Sequence, residues 1–212
     1  MKLYSYFRSS AAYRVRIALG LKGLEYDYAA VNLLKREQKS AAYVARNPQG
    51  LVPALETEDG ATLAQSIAII EWLEELHPDP PLLPIDTAER ARVRAVVANI
   101  ACDIHPLCNI AVIDHLRENL GARESDVLTW FKTWMHRGFD AVETVLAANA
   151  QNYSFGETPG MADVFLVPQV FNARRFGVSL ENYPNITRVE EAANELAAFS
   201  SAAPEKQPDF NG

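Results

Sequence analysis

The pattern of hydrophobic and polar positions changes about eighty residues into the chain. Before that point, short apolar alternations at residues 2–6 and 26–31 are typical of strands. Between them, apolar residues recur at helical spacing and define one face, at positions 11, 15, 18 and 19. A strand, a short helix and a second strand predict a parallel pair of strands in a small sheet.

A second group of short elements follows. Asp59-Gly60 stands between the apolar runs 52–56 and 61–64, and this arrangement is a strong signal for a β-hairpin. Ser66 then opens a segment whose apolar residues follow a helical repeat. The order of these elements predicts a four-stranded mixed sheet with helices.

The remainder of the chain has a helical pattern. Four prolines within residues 78–84 cannot continue a helix, so we place a domain boundary there. We predict an α/β domain over residues 1–80 and an all-α helical-bundle domain over residues 86–212. Helical patterns in the second domain cover residues 93–104, 127–146, 161–175 and 186–198.

Two local expectations concern the end of the chain. Asn185 precedes the last helical pattern and is of a residue type that favours the N-cap position. The segment after Ala203 lacks a helical or strand pattern, so we expect it to be frayed.

Composition and charge exclude several classes of function. The 212 residues are 49% hydrophobic and 22% charged, as in an ordinary globular protein. A formal net charge of −7 makes the chain a poor partner for nucleic acid or an anionic membrane. No apolar run approaches the ~20 residues of a spanning helix, and no apolar secretory segment opens the sequence. Cys102 and Cys108 are expected to be buried structural thiols in a reduced, cytoplasmic protein.

Three short motifs can carry chemistry, and each also has a purely structural interpretation. The chain has no glycine-rich phosphate loop and no Cys or His pair at metal-ligand spacing, so no metal is expected. The first motif is Phe7-Arg8-Ser9-Ser10, between a strand and a helix, where helix amides and a hydroxyl would attract an anion. The structural alternative is that Ser9 or Ser10 acts only as a helix cap.

The other two motifs are Val52-Pro53 and Gln65-Ser66. A proline at the start of a strand has no amide to donate, and an X-Pro bond is cis in about 5–6% of cases. A cis bond here would turn the Val52 amide and carbonyl outwards, towards an extended peptide-like ligand. Gln65, beside the N-terminus of the next helix, is a second candidate anion site, and capping is again the alternative.

Together, these motifs make the sequence resemble the zeta class of glutathione transferases. Residues 9–19, Ser-Ser-Ala-Ala-Tyr-Arg-Val-Arg-Ile-Ala-Leu, are similar to the signature of that class. Asn47-Pro48 followed by Val52-Pro53 resembles its cis-proline loop. Residues 65–71 resemble its γ-glutamyl-binding helix start, and residues 167–176 resemble its C-terminal signature. The match runs nearly end to end.

The chain departs from the pattern of the class at three positions. Ala11 stands where the class has cysteine, so a mechanism that needs a protein thiol at that place fails. Tyr13 replaces Trp or His. Gly160 replaces the Ser or Thr cap that precedes Asp163, at a cost of at most about a few tenths of a kcal/mol.

The resemblance implies a thioredoxin-like N-terminal domain that binds glutathione and an all-helical C-terminal domain that binds substrate. Ser9 would donate a hydrogen bond to the glutathione sulfur, and Val52 would pair with the cysteinyl backbone. The remaining glutathione contacts that the resemblance implies are Ser10, Arg14, Gln38, Pro53, Gln65, Ser66, His105 and Asn109. Arg14 is equally well explained as a helix-packing arginine. Members of the family are usually homodimers.

The activity that the resemblance implies is glutathione-dependent cis–trans isomerisation of a maleyl oxo acid. Reversible thiolate addition would make the conjugated double bond a rotatable single bond. Arg8 and Arg175 are the candidate catalytic residues for binding the carboxylates of this dicarboxylate substrate, and structural ion pairing is their alternative role. Arg174 is the weaker neighbour, because adjacent helical positions point in different directions.

The sequence leaves open which substrate is used, and whether the protein is instead a general transferase or a binding module. The substrate is either maleylpyruvate or maleylacetoacetate. A general conjugating transferase would act on apolar electrophiles and would not need two arginines in its site. A non-catalytic glutathione-binding module would keep the fold and lose the hydrogen-bond donor to sulfur.

Overall fold

A computed structural model describes residues 1–210. The chain forms two compact units, which consist of Met1–Leu82 with the chain from Asn194 onward, and of Leu83–Ala193. The division therefore falls within the proline-rich segment. The assignment of residues 86–212 to one helical domain is wrong for its last part, because the chain from Asn194 onward groups with the first unit.

The first unit contains the predicted four-stranded mixed sheet, in the order β2-β1-β3-β4. Its strands are β1 Lys2–Ser5, β2 Asp27–Ala30, β3 Ala54–Glu56 and β4 Thr62–Ala64. Strand β1 is parallel to β2 and antiparallel to β3, which forms the predicted hairpin with β4. Leu3 lies opposite Tyr28 on one side and Leu55 on the other, and both leucines are fully buried. The sheet and its helices confirm the α/β class of this part of the chain.

Helices of the first unit pack beside this sheet, and α1 contacts both α3 and α9. They are α1 Ser10–Leu21, α2 Ala41–Val44, α3 Ser66–Leu76 and α9 Ala197–Ser200, with short 3₁₀ helices at Glu37–Lys39 and Pro204–Lys206. The apolar face predicted for α1 is buried, since Val15, Ala18 and Leu19 have no exposed surface. Ser9 is the N-cap of α1 and fixes where the helix begins.

Residues 204–210 are ordered by contacts within the first unit, so the expectation of a frayed end is wrong for them; residues 211 and 212 lie outside the described residues. Gln207 is buried, and its amide donates to the carbonyls of Ser201 and Ala203. Asp209 accepts hydrogen bonds from residues near the start of the chain. These partners lie too far away in the sequence for a local pattern to indicate them.

A buried ion pair joins the ends of α1 and α3 to the proline-rich segment. Lys22 Nζ lies 2.5 Å from Glu74 Oε2, and the lysine side chain has no exposed surface. The ammonium group also donates to the carbonyls of His77 and Pro80, at 2.6 and 2.7 Å. Glu74 accepts a further hydrogen bond from the Leu82 amide. Every hydrogen of the buried ammonium therefore has an acceptor.

The second unit is helical, as predicted. Its α-helices are α4 Thr87–Ala98, α5 Ile110–Glu118, α6 Glu124–Asn149, α7 Met161–Arg175 and α8 Pro184–Asn194. Helix α7 has the bounds that the sequence indicated, and all of residues 161–170 are buried. The Asp163 carboxylate accepts from the Gly160 amide at 2.7 Å, so the acidic half of the capping box is kept without a hydroxyl at residue 160.

Two helix predictions in this unit are wrong. Helix α8 begins at Pro184, so Asn185 lies in its first turn rather than at its cap. Proline favours the first helical position, and the Asn185 amide donates to Glu143 instead. Helix α5 was not predicted, although Asn109 is a favourable N-cap residue directly before it.

A π-helical turn at Asn99–Ile104 follows α4 and leads into a 3₁₀ turn at His105–Cys108. Helix α6 accommodates this turn at Gly138. A Cβ atom at residue 138 would lie 2.2 Å from Ile104 Cγ1, so only glycine leaves room for the isoleucine. The contact between Ile104 and Gly138 therefore holds the π-helical turn against α6.

The two cysteines lie in different environments. Cys108 is buried, and burial raises the pKa of its thiol to about 12. Cys102 is exposed, so the expectation that both thiols are buried is wrong for this residue. It lies in the π-helical turn, and even at α-helical spacing it is about 180° from the apolar face that contains Val93 and Ile104.

One helical stretch, Thr87–Glu118, is long and apolar enough to cross a membrane, with a mean hydropathy of 1.6 over its most apolar window. The sequence prediction concerned an uninterrupted apolar run, and charged residues such as Arg94, Asp103 and Asp114 interrupt this stretch. The stretch is not a continuous α-helix, because the π-helical and 3₁₀ turns separate α4 from α5. Core helices of globular proteins meet the same criterion, so length and composition do not by themselves assign a span.

Replacing Lys22 by methionine should lower the free energy of unfolding by about 3–5 kcal/mol, because Glu74 would keep a buried charge without its partner. Urea denaturation followed by circular dichroism measures the change. Lys35→Met, at an exposed turn, is the control and should stay within about 0.5 kcal/mol of the parent. A loss below about 1 kcal/mol for Lys22→Met would show that the pair does not stabilise the unit.

Candidate active site

The loop between β1 and α1 carries Arg8 and Ser9. The Ser9 hydroxyl oxygen accepts a hydrogen bond from the Ala12 amide at 3.2 Å, so the capping interpretation is correct. A capping hydroxyl uses its lone pair, and its own hydrogen remains available to donate. Ser9 is half-buried at the N-terminus of α1, whereas Ser10 is buried. The structural role of Ser9 is therefore compatible with hydrogen bonding to an anion.

Arg8 rests on an aromatic ring of its own loop. Its guanidinium carbon lies 4.8 Å from the centroid of the Phe7 ring, within range of a cation–π interaction. Within residues 1–210, no salt bridge involves Arg8, whereas several other arginines are paired with carboxylates. The side chain is half-buried. A half-buried cation without a carboxylate partner is suited to binding an anionic ligand.

The Val52-Pro53 bond is cis, as considered from the sequence. The Val52 side chain is buried in a cluster with Phe7 and Tyr43 among its members. The preceding carbonyl, of Leu51, accepts from the Tyr43 hydroxyl at 2.7 Å and from the Asn47 amide at 2.8 Å. Within residues 1–210, the amide and carbonyl of Val52 itself make no backbone hydrogen bond. An extended ligand can therefore pair with both groups.

Gln38 lies in the 3₁₀ helix beside this loop and is buried. Its main-chain oxygen passes close to Gly50, where a Cβ atom would lie at 2.9 Å. Across residues 1–210, its side-chain oxygen Oε1 is buried and has no hydrogen-bond partner. An unpaired buried acceptor is costly and is satisfied when a ligand donates to it.

Gln65 precedes α3 with φ 71° and ψ 119°, a backbone conformation that residues other than glycine rarely adopt. Its side chain makes no capping hydrogen bond, so the capping interpretation is wrong for this residue. Instead, its Nε2 donates to Gln49 Oε1 at 2.8 Å on an exposed surface. Strained residues of this kind cluster at ligand sites.

Ser66, the first residue of α3, joins this helix to α1. The buried guanidinium of Arg14 donates to the Ser66 hydroxyl at 3.3 Å. Arg14 therefore has the packing role that the sequence left open, and it also places a positive charge at the N-terminus of α3. The helix dipole and this charge both favour an anion there.

The second unit holds the other predicted contacts. His105 is half-buried at the start of the 3₁₀ turn that follows the π-helical turn. Asn109 caps α5, where its side-chain oxygen accepts from the Ala111 amide at 2.8 Å. This cap occupies the oxygen and leaves the side-chain NH₂ group to donate.

Arg174 and Arg175 end α7 in different ways. Arg174 Nη2 lies 2.7 Å from Glu190 Oε2, so this arginine has the structural role of an ion-pair partner. The guanidinium of Arg175 lies 5.0 Å from the centroid of the Phe176 ring, and that ring stacks on Phe131 at 4.0 Å. The preference for Arg175 over Arg174 as a ligand-binding residue stays a prediction.

The predicted residues of the first unit thus cluster around two helix N-termini and the cis-proline loop. His105, Asn109 and Arg175 belong to the second unit. Sequence reasoning did not identify the supporting contacts of Tyr43, Gln49 and Asp209. The Asn47-Pro48 motif drew attention to Asn47 but not to its bond with Leu51.

Comparisons with known proteins extend over both units. The family models for the N-terminal and C-terminal domains of glutathione S-transferase match residues 8–76 and 128–199. The chain is 52% identical over 211 residues to a maleylpyruvate isomerase from a Ralstonia species, covering 99% of each protein.

Solved structures are similar to the same extent. A holo structure of maleyl pyruvate isomerase, described as a bacterial zeta-class glutathione S-transferase, matches with a TM-score of 0.97 and 51% identity over the whole of both chains. A maleylacetoacetate isomerase from Anaeromyxobacter dehalogenans, with bound dicarboxyethyl glutathione and citrate, matches with a TM-score of 0.89 and 49% identity. The match covers 100% of this chain and 97% of that one. The chain therefore belongs to the glutathione S-transferase family and, within it, to the zeta class.

Proposed function

We propose that this protein converts maleylpyruvate to fumarylpyruvate in gentisate catabolism. This is a glutathione-dependent cis–trans isomerisation of a maleyl substrate. The observation that carries the proposal is one short loop that combines a hydroxyl at a helix N-terminus with an arginine that forms no salt bridge among residues 1–210. The first group suits a thiolate and the second suits a carboxylate.

The residues of the first unit fit glutathione. The ligand is an extended peptide with amide groups and two carboxylates. Val52 offers an unpaired amide and carbonyl, and Gln38 offers a buried acceptor without a partner among residues 1–210. Gln65 and Ser66 stand at the N-terminus of α3 with Arg14 nearby, which suits the γ-glutamyl carboxylate. Each polar feature of the site has a matching group on the ligand.

Glutathione supplies the thiol that adds reversibly to the activated double bond of the substrate. Ser9 has the task of favouring the ionised form of that thiol, because a free thiol has a pKa of about 8.5 and is mostly protonated at neutral pH. Its hydroxyl donates one hydrogen bond, and the dipole of α1 adds a favourable field. His105 and Asn109 are proposed as further contacts to glutathione.

Arg8 and Arg175 are proposed to bind the two carboxylates of the substrate. A guanidinium forms two parallel hydrogen bonds to a carboxylate, so it fixes both position and orientation. The net charge of −7 opposes an anionic substrate, and local cations must offset it. The dicarboxyethyl glutathione and citrate bound in the active site of the related A. dehalogenans structure support a site for carboxylates.

The proposal also covers the cellular compartment and the oligomeric state of the protein. The enzyme is proposed to be a cytoplasmic homodimer, in keeping with the family and with the absence of disulfide bonds among residues 1–210. Maleylacetoacetate is the second candidate substrate, because a similar solved structure carries that activity in its name.

Turnover of maleylpyruvate with and without glutathione tests the function. We expect fumarylpyruvate, identified by ultraviolet absorbance and product analysis, only when glutathione is present. Turnover of maleylacetoacetate without turnover of maleylpyruvate would indicate that the second candidate is the substrate. Conjugation of apolar electrophiles without isomerisation would indicate a general transferase, and glutathione binding without any turnover would indicate a binding module.

Arg8→Ala and Arg175→Ala should each lower kcat/KM for the maleyl substrate by about 10- to 150-fold, which corresponds to ~1.5–3 kcal/mol of transition-state binding. The affinity for glutathione, measured by calorimetry, should change little. Arg174→Ala is the matched control and should keep the parent kcat/KM, since this arginine pairs with Glu190. Unaltered turnover in both test variants would contradict the carboxylate-binding role.

Gln65→Gly and Gln65→Ala separate binding from backbone strain. Both lose the side chain, so both should bind glutathione about tenfold more weakly. Only glycine relaxes the positive φ, so Gln65→Gly should be more stable than Gln65→Ala by about 1 kcal/mol. Calorimetry and thermal unfolding give the two readouts. Equal stability would show that the backbone is not strained, and unchanged affinity would remove Gln65 from the binding site.

A further inference from the structure

The end of the described chain lies against the loop that carries Arg8 and Ser9. One carboxylate oxygen of Asp209 accepts from the Phe7 amide at 3.1 Å, and the other accepts from the Tyr28 hydroxyl at 2.6 Å. Asp209 therefore ties the residue before Arg8 to strand β2. The segment containing it, residues 197–210, is referred to below as the C-terminal segment.

The carbonyl of Phe7 is held from the other side. Arg16 Nη2 donates to it at 3.1 Å, and the same guanidinium donates to the Ala202 carbonyl at 2.9 Å. Both main-chain polar groups of Phe7 are thus bonded to charged side chains, which form stronger hydrogen bonds than neutral partners. These bonds fix the peptide planes on both sides of Phe7, and so the direction in which the chain enters Arg8.

The C-terminal segment also supports the ring beneath Arg8. The ring of Phe210 meets the ring of Phe7 edge to face, with centroids 5.5 Å apart and an interplanar angle of 81°. The guanidinium of Arg8 lies over that same Phe7 ring. An edge-to-face aromatic pair has a preferred geometry, so Phe210 restricts the orientation of the surface on which Arg8 rests.

Charge gives Asp209 a further connection to this loop. Arg16 is buried, and burial lowers the pKa of its guanidinium, while the nearby Asp209 carboxylate acts in the opposite direction. The carboxylate therefore stabilises the charged form of Arg16, which holds the Phe7 carbonyl. Loss of Asp209 would remove the hydrogen bond to the Phe7 amide and weaken the hydrogen bond from Arg16 to the Phe7 carbonyl.

We propose that Asp209 and Phe210 are positioning residues, which hold Arg8 and Ser9 in the geometry that substrate binding and thiol activation require. The inference rests on the proposed function for the roles of Arg8 and Ser9. Asp209 acts through the Phe7 peptide on both residues, whereas Phe210 acts through the Phe7 ring on Arg8 alone. Neither residue touches the reacting atoms in this assignment.

The test compares Asp209→Ala, Asp209→Asn and Phe210→Ala with Glu205→Ala. Glu205 is an exposed carboxylate of the same segment without a hydrogen bond to the loop, and it serves as the matched control. Three quantities are measured for the full chain: kcat and KM for maleylpyruvate, the pH midpoint of the ultraviolet thiolate absorbance of bound glutathione, and the thermal unfolding temperature.

Asp209→Ala should lower kcat/KM by about tenfold or more, as expected when reacting groups are displaced by a fraction of an ångström to an ångström. It should also move the thiolate midpoint to higher pH, since Ser9 no longer donates in the optimal direction. Asp209→Asn keeps an oxygen acceptor for the Phe7 amide. Its kcat/KM and its thiolate midpoint should therefore lie between those of Asp209→Ala and those of the parent. Phe210→Ala should raise KM for maleylpyruvate and leave the thiolate midpoint unchanged, and Glu205→Ala should match the parent.

Parental kcat/KM and parental thiolate midpoints in the folded variants would overturn the inference. A loss of activity that disappears at a temperature where the variant is fully folded would also overturn it, because Asp209 would then only stabilise the fold. If Asp209→Ala does not fold, Asp209→Asn and Phe210→Ala decide by the same readouts. The thiolate midpoint needs no isomerase activity, so an inactive parent protein would count against the proposed function and leave this test intact.

Discussion

The buried guanidinium of Arg16 connects the first strand and the site loop with the C-terminal segment, which is distant from them in the sequence. It donates to the Ser5 hydroxyl at the end of β1, to the Phe7 carbonyl, and to the Ala202 carbonyl. A buried cation is costly unless its donors find acceptors, so these three oxygens must be in place together. The end of the first strand, the site loop and the C-terminal segment are therefore mutually dependent. The positions of Arg8 and Ser9 rest on this arrangement.

The same unit contains several local features that are unfavourable without a ligand. Gln65 has a positive φ, Gln38 has a buried oxygen without a partner among residues 1–210, and Val52 leaves both main-chain groups unpaired within that range. Each feature is unfavourable in the free protein, and under the proposed function glutathione would pair with the main-chain groups of Val52. Their concentration in the first unit is typical of a preorganised site, where the surrounding core, rather than the ligand, fixes the polar groups. The Val52 side chain illustrates this, because it is buried with Phe7 while its backbone stays unpaired.

Sequence reasoning worked for several elements whose determining interactions were local. The Asp59-Gly60 hairpin, the capping by Ser9 and the bounds of α7 follow from short patterns that the fold retains. It failed where the decisive partner was remote, and it also missed α5 although the Asn109 cap lies directly before that helix. Asp209 bonds to Phe7 across 202 residues, and nothing near Asp209 indicates that contact. Cys102 is exposed, which helical spacing would have indicated, because this residue lies about 180° from the apolar face that contains Val93 and Ile104.

The π-helical turn before His105 has a consequence for the register of this segment. A turn that closes over five residues takes up one more residue than an α-helical turn. Asn99–Ile104 is thus equivalent to a helix with a single inserted residue, and Gly138 supplies the space that the resulting bulge of Ile104 needs. Because the bulge absorbs the extra residue locally, removing one residue there would regularise the helix and take away the bulge of Ile104. The requirement for glycine at residue 138 and the number of residues in this turn are therefore coupled, since the glycine is needed only while Ile104 bulges towards it.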